Sequence, residues 1–190
     1  MKDRLDIRRS AGPAVALALA LVLVAGCSRD SSSPPGEDGP RPLEAGQARL
    51  TPEQGTVAGN DTVVLHLNVH SGEQALGAVS LRLFFDDEAF ELVSVQAQDG
   101  TLSDPFLQAE SPPGSLYLGW TNTSDPDADL TGERRVADLT FRAVGEPGAK
   151  MNLSGRILSM GDTAFPAEDI GEGAFPRTLD VAGDVAVARG

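Results

Sequence analysis

An alternation of apolar and polar residues with a period of two constrains this chain more than any other feature. Val63, Leu65, Leu67 and Val69 alternate with Val64, His66, Asn68 and His70. Val79, Leu81, Leu83 and Phe85 alternate with Ser80, Arg82 and Phe84. Leu116, Leu118 and Trp120 alternate with Tyr117, Gly119 and Thr121. Such a period sends successive side chains to opposite faces of a strand, one face buried and one wet. Val136, Leu139, Phe141 and Val144 form another run, whose change of phase near Asp138 predicts a bulge. Leu92, Val93 and Val95, then Leu153, Ile157, Leu158 and Met160, give shorter runs. Turn-forming residues separate them, as at Ala58-Gly59-Asn60-Asp61, Ser71-Gly72-Glu73 and Pro112-Pro113-Gly114. Beyond the first 26 residues no window of twelve or more carries a helical stripe. Asp86 to Phe90 has room for one helical turn. About seven to nine short strands with one buried face each predict an all-β chain folded as an antiparallel β-sandwich. Pattern alone leaves the strand order open. Leu179, Val181, Val185 and Val187 supply either a last strand or a tail.

The strands occupy only part of the 190 residues, and the charge is divided unevenly along them. The formal net charge is −13. Residues 1–26 hold four basic residues (Lys2, Arg4, Arg8, Arg9) and two acidic ones (Asp3, Asp6), leaving 11 basic and 26 acidic residues for the rest. The first piece is therefore +2 and the remainder −15. Acidity of this size excludes a nucleic-acid partner, whose phosphates need a basic surface, and it disfavours anionic ligands in general. A basic flank followed by an apolar stretch and small residues is the grammar of an export signal. Ala14 to Ala25 is an unbroken apolar run of twelve residues. A bilayer-spanning helix needs about 20, so the run fits a signal peptide rather than a permanent span.

That run ends in Leu23-Val24-Ala25-Gly26-Cys27. The sequence resembles the lipobox of bacterial lipoproteins, in which the cysteine thiol receives a diacylglycerol and the leader is cut before it. Cys27 is the only cysteine in the chain, which also excludes an intramolecular disulfide and a cysteine-based zinc site. The resemblance implies lipidation at Cys27 and, with Ser28 rather than Asp following, an address at the outer membrane of a Gram-negative envelope. Several acyl chains hold a protein to a bilayer where one holds it only marginally. Residues 27–46 are rich in Ser, Pro and Gly and read as a solvated, disordered linker. Residues 47–190 read as the folded domain.

Four stretches within that domain resemble cohesin domains. Gly59-Asn60-Asp61-Thr62-Val63-Val64-Leu65-His66-Leu67-Asn68-Val69 is similar to their opening strand. Leu76 to Asp86 is similar to the next, which ends in an aromatic-Asp-Pro turn. Phe90-Glu91-Leu92-Val93-Ser94-Val95 and Gly132 to Ala143 follow in the family's order. The resemblance spans roughly residues 48–165 and implies a nine-stranded jelly-roll sandwich, related to certain carbohydrate-binding modules. It also implies binding of a partner through one sheet face. Cellulosomal cohesins often present an Asn-x-Asp pair on the strand matching Leu76 to Asp86. Ala78 and Ser80 stand at those positions, and Asp87 replaces the turn proline. The fold therefore carries over, and a cellulosomal dockerin as partner does not.

The remaining candidate chemistry is sparse. Tyr117 and Trp120 point to opposite faces of one strand, with Trp120 in the parity of the core residues. Tyr117 and Phe84 share the outward parity and make a small apolar patch if their strands are neighbours. Asp125, Asp127 and Asp129 alternate like the start of an EF-hand, but its sixth and twelfth positions fall on Leu130 and Val136 instead of Gly and Glu. A solvated acidic loop is favoured there over a looser structural Ca²⁺ site. His66 and His70 are separated by about 13 Å along a strand, too far to share a metal. No H-E-x-x-H or G-x-S-x-G is present, and adjacent Asp86 and Asp87 point apart. The chain is read as a binding module, with neither enzymatic activity nor a cofactor. The expected function is a lipid-anchored, cohesin-type adaptor that scaffolds a secreted protein, linked through its family to polysaccharide binding or breakdown. Ser80, Arg82 and Phe84 form the expected exposed row, with Tyr117 beside it. The alternatives are a carbohydrate-binding module and a structural envelope lipoprotein.

Overall fold

The computed structural model describes residues 41–98, 106–110, 112–122, 130–164 and 168–189. These residues build a sandwich of two five-stranded sheets with a small two-stranded annex. In chain order the strands are β1 (Gln47–Pro52), β2 (Thr56–Val57), β3 (Thr62–His70), β4 (Leu76–Phe84), β5 (Phe90–Ala97) and β6 (Phe106–Glu110). They continue with β7 (Ser115–Thr121), β8 (Glu133–Ala143), β9 (Ser154–Asp162), β10 (Arg177–Thr178), β11 (Asp180–Val181) and β12 (Ala186–Val187). The first sheet has the order β11-β1-β3-β8-β5, the second β10-β9-β4-β7-β6, and β12 pairs with β2.

The alternation dictates which side faces in. Val63, Leu65, Leu67 and Val69 of β3 are buried, as are Val79, Leu81 and Leu83 of β4. Leu116, Leu118 and Trp120 of β7 meet Ile157 and Met160 of β9 in the same core. Each such side chain removed from water contributes about 1.5–3 kcal/mol before the entropy of ordering it is subtracted. Phe141 and Phe85 pack edge to face, with centroids 5.1 Å apart and planes at 72°. The turn before β3 uses Asn60 at φ 68°, a left-handed conformation that Asn tolerates better than bulkier residues. Asp86 closes the single helical turn predicted after β4: its carboxylate accepts the Glu88 and Ala89 amides at 3.1 and 3.2 Å.

Arg177–Val181 is one run with a foot in each sheet. Its first half, β10, pairs antiparallel with β9, and its second half, β11, pairs parallel with β1. Leu179 between them is buried. Counting this run once, and setting aside β2 and β12, gives the nine strands of the expected jelly roll.

Four details depart from the sequence reading. The bulge in β8 falls at Val136, where the pairing to β3 skips between Ala137 and Arg135. Val144, read as part of that strand, lies beyond it and is exposed, because the strand ends at Ala143 as the chain turns toward Ala89. The sandwich is antiparallel except at β1–β11 and β2–β12, where the C-terminal stretch returns beside the N-terminal one. Residues 41–46, read as linker, belong to the domain: Leu43 is buried, and the Arg41 carbonyl accepts from the Arg49 guanidinium.

Candidate functional site

Neighbouring strands β4 and β7 bring three of the four candidate residues together at the surface. Arg82 pairs in register with Tyr117, and Phe84 with Ser115. Phe84 and Tyr117 are therefore diagonal neighbours on the outer face of the second sheet, close enough for large side chains to share a patch. The Arg82 guanidinium lies over the Phe84 ring, 5.3 Å from its centroid, within range of a cation–π contact. Its Nε donates to Ser115 Oγ at 3.4 Å. The Tyr117 ring leans over Gly119: a Cβ at that glycine would sit 3.5 Å from the ring. A residue without a side chain there lets the phenol lie along the sheet.

Ser80 does not fit the exposed row. It is 9% exposed, and its hydroxyl is 2.6 Å from that of Ser159 on β9. The two short side chains satisfy each other between strands and leave little for a partner to read. Arg156, which sequence reasoning passed over, sits on β9 directly opposite Arg82. It is exposed. Leu158 is the extra residue where the β4–β9 register shifts. That bulge blurs the alternation and hides Arg156's shared face with Arg82 from a reading by parity.

The outer face of the first sheet is organised differently. Asp138 accepts both arms of Arg135 at 2.7 and 2.6 Å and the Gln98 amide at 2.8 Å. His66 lies between Asp138 and Glu53, with ring nitrogens 3.0 and 3.1 Å from their carboxylates. Arg142 pairs with Glu91, and Arg49 with Asp180. The Asp138 network stiffens this face. Replacing Asp138 by Ala strips three partners at once, and the expected cost is about 1–3 kcal/mol, read as a lower unfolding midpoint.

Among the described residues no group of three or more His, Cys, Asp or Glu side chains is placed to hold a metal. Asp125, Asp127 and Asp129 lie outside the described residues, as does Cys27. No helix among the described residues is long and apolar enough to cross a membrane.

No family model matches the sequence, and no curated protein matches it. Solved structures do match, and the fold they define is that of cohesin domains. CaCohA2 from Clostridium acetobutylicum superposes with a TM-score of 0.57 at 14% identity, over 75% of this chain and 91% of that one. A type II cohesin domain from the cellulosome of Acetivibrio cellulolyticus gives 0.53 at 13% identity, over 74% and 94%. The Coh-OlpC-Doc435 type I cohesin–dockerin complex from Clostridium thermocellum gives 0.52 at 13%, over 75% and 94%. This chain has the cohesin fold.

Proposed function

We propose that the chain is a binding module of cohesin type which holds a secreted protein partner at the bacterial cell envelope, anchored by lipid at Cys27. The observation that carries this reading is the meeting of Arg82, Phe84 and Tyr117 on the outer face of paired strands β4 and β7. An aromatic pair with an arginine is the composition that concentrates binding energy in protein interfaces. Solved neighbours of the same fold, such as Coh-OlpC-Doc435, are complexes with a dockerin, which supports a protein as the class of partner. The lack of an Asn-x-Asp pair at Ala78 and Ser80 argues for a partner other than a cellulosomal dockerin. The lipobox resemblance at Leu23 to Cys27 supports the anchor and an outer-membrane address.

One experiment with three arms tests this. The full chain, expressed in a Gram-negative host, should partition into the membrane fraction, and Cys27→Ser should move it to the soluble fraction. Continued detergent dependence of the variant would remove the lipid anchor from the proposal. A secreted protein captured by the full chain should lose at least tenfold in affinity with Phe84→Ala plus Tyr117→Ala. A glycan array is the third arm. Binding there that needs Tyr117, with no protein captured, would replace the adaptor by a carbohydrate-binding module.

A further inference from the structure

We propose that the cleft where the run Arg177–Val181 meets β1 binds a small acidic sugar, its acid group a carboxylate or a phosphate. The cleft holds about 620 Å³, within the range of about 300–1,000 Å³ usual for small-molecule sites. It lies at the seam between the two sheets, on other strands than Arg82, Phe84 and Tyr117. Arg41, Arg49 and Arg177 line it, together with Gln47, Thr178 and Asp180. Three cations against one carboxylate run counter to the chain's net −13. Arg156, in register with Thr178, is exposed and adds positive charge beside the cleft. A second cleft, of about 350 Å³, also touches Arg177 but is lined by Glu44 and Glu172. The attraction for an acid therefore belongs to the first.

The fold uses only part of what these arginines offer. Arg49 is 8% exposed, and it donates from Nε to Asp180 and from Nη2 to the Arg41 carbonyl. Those bonds take two of the five N–H donors of a guanidinium. The Arg177 guanidinium lies 4.1 Å from the centroid of the Phe175 ring and donates to the carbonyls of Gly46, Ile170 and Gly173. These groups fix its position without neutralising its charge, and its Nε is buried with no partner. Gly46 and Gly171 complete the cage, because a Cβ at either would strike this side chain. Arg177 is thus a preplaced cation that meets no carboxylate among the described residues. Arg41 reaches Glu44 from an exposed position, and a surface pair of that kind is weak enough to yield to a ligand.

A cleft walled by one sign of charge concentrates its field on what enters. Planar guanidinium donors match the oxygens of a carboxylate or a phosphate. An acid alone would leave the rest of the lining idle. The Thr178 hydroxyl, the Gln47 amide and the Asp180 carboxylate supply donors and acceptors suited to sugar hydroxyls. Among the described residues no aromatic side chain lines the cleft, and Phe175 nearby is covered by Arg177. A neutral sugar would find only hydrogen bonds exchanged for those it already makes with water, so the acid group has to supply the hold.

The test is calorimetric titration of the full chain in detergent with digalacturonate, glucose 6-phosphate, glucose and inorganic phosphate. Expected is binding of digalacturonate or glucose 6-phosphate that weakens with added salt, and none of glucose or inorganic phosphate at the same concentration. Which of the two acids binds identifies the acid group. Thr178→Glu brings a carboxylate to the cleft and should raise the Kd roughly tenfold or more, and Arg41→Glu should raise it by a smaller factor. Both positions are exposed, and the new carboxylate at 178 would face Arg156, so the unfolding midpoints should stay level. Arg142→Ala, which removes a cation from β8 on the first sheet, should bind as wild type does and separates the cleft from overall charge. The proposal is overturned if neither acidic sugar binds, or if inorganic phosphate binds as tightly as they do. It is equally overturned if a folded Thr178→Glu binds like wild type, or if Arg142→Ala loses as much affinity as Arg41→Glu. Such a failure leaves the adaptor reading standing, because that reading rests on β4 and β7.

Discussion

Gly77→Ala is expected to destabilise the domain by about 3 kcal/mol or more, and to leave much of it unfolded or aggregated on expression. Gly77 lies in β4 at the point where the pairing to β9 skips a residue, between Leu76 opposite Asp162 and Ala78 opposite Gly161. A Cβ there would overlap the Asp162 carbonyl and come within 2.9 Å of the Thr163 amide nitrogen. Those obstacles are backbone, so no side-chain rotation relieves them. The Gly77 carbonyl also accepts the Asn122 amide at 2.6 Å, which holds the strand in place from its other side. Ordinary overpacking costs about 1–3 kcal/mol, and a clash with two fixed backbone groups belongs at the top of that range or above it. Chemical denaturation of the wild type and the variant measures the difference. A loss below about 1 kcal/mol, the floor of that overpacking range, would mean that the end of β9 moves aside.

Phe141→Ala is expected to cost about 3–5 kcal/mol, the range found for emptying a large aromatic site in a core. Phe141 is fully buried on β8. It pairs with Val63 on one side and Leu92 on the other, and its ring meets the edge of Phe85, just past the end of β4. It therefore ties the first sheet to the second. Phe141→Leu keeps most of the volume and loses the edge-to-face contact, with a smaller loss expected. Comparing the two variants by thermal unfolding separates cavity from ring geometry. Equal losses would show that the ring contact dominates.

The alternation carried the fold a long way. A residue on β3 or β4 with an apolar neighbour two positions away is buried where the pattern puts it, as Leu65 and Leu81 are. Trp120 is in the core as its parity requires. Sequence reasoning stops at strand order. Nothing in residues 76–84 or 154–162 says that these two segments are neighbours, so Arg156 was invisible as the companion of Arg82. Bulges hide more: one at Leu158 reverses the phase of β9, and one at Val93 leaves that apolar side chain 50% exposed, whereas the phase change in β8 announced its own bulge close to where it falls, at Val136. Ser80 shows a third limit. Its outward parity is right, but a short hydroxyl that finds Ser159 is no longer available at the surface. Leu43 shows a fourth. A single apolar residue among Pro, Arg and Glu has no period, so its burial is decided by a tertiary contact that composition does not predict.

The run from Arg177 to Val181 fixes the order in which this domain can be completed. Arg49 must wait for Asp180, 131 residues later, before the edge of β1 is covered. Thr56 and Val57 wait for Ala186 and Val187, which follow later still. Loops of this length close slowly, and chains emerge N-terminus first. Until residues 177–187 are free, the sandwich has two open seams, at β1 and at β9, and Leu179 is not yet in the core. A chain arrested short of Leu179 keeps those seams available to other strands. A chain that stops short of Val187 therefore lacks part of what covers β1, β2 and β9, a dependence written into the topology rather than into any one residue.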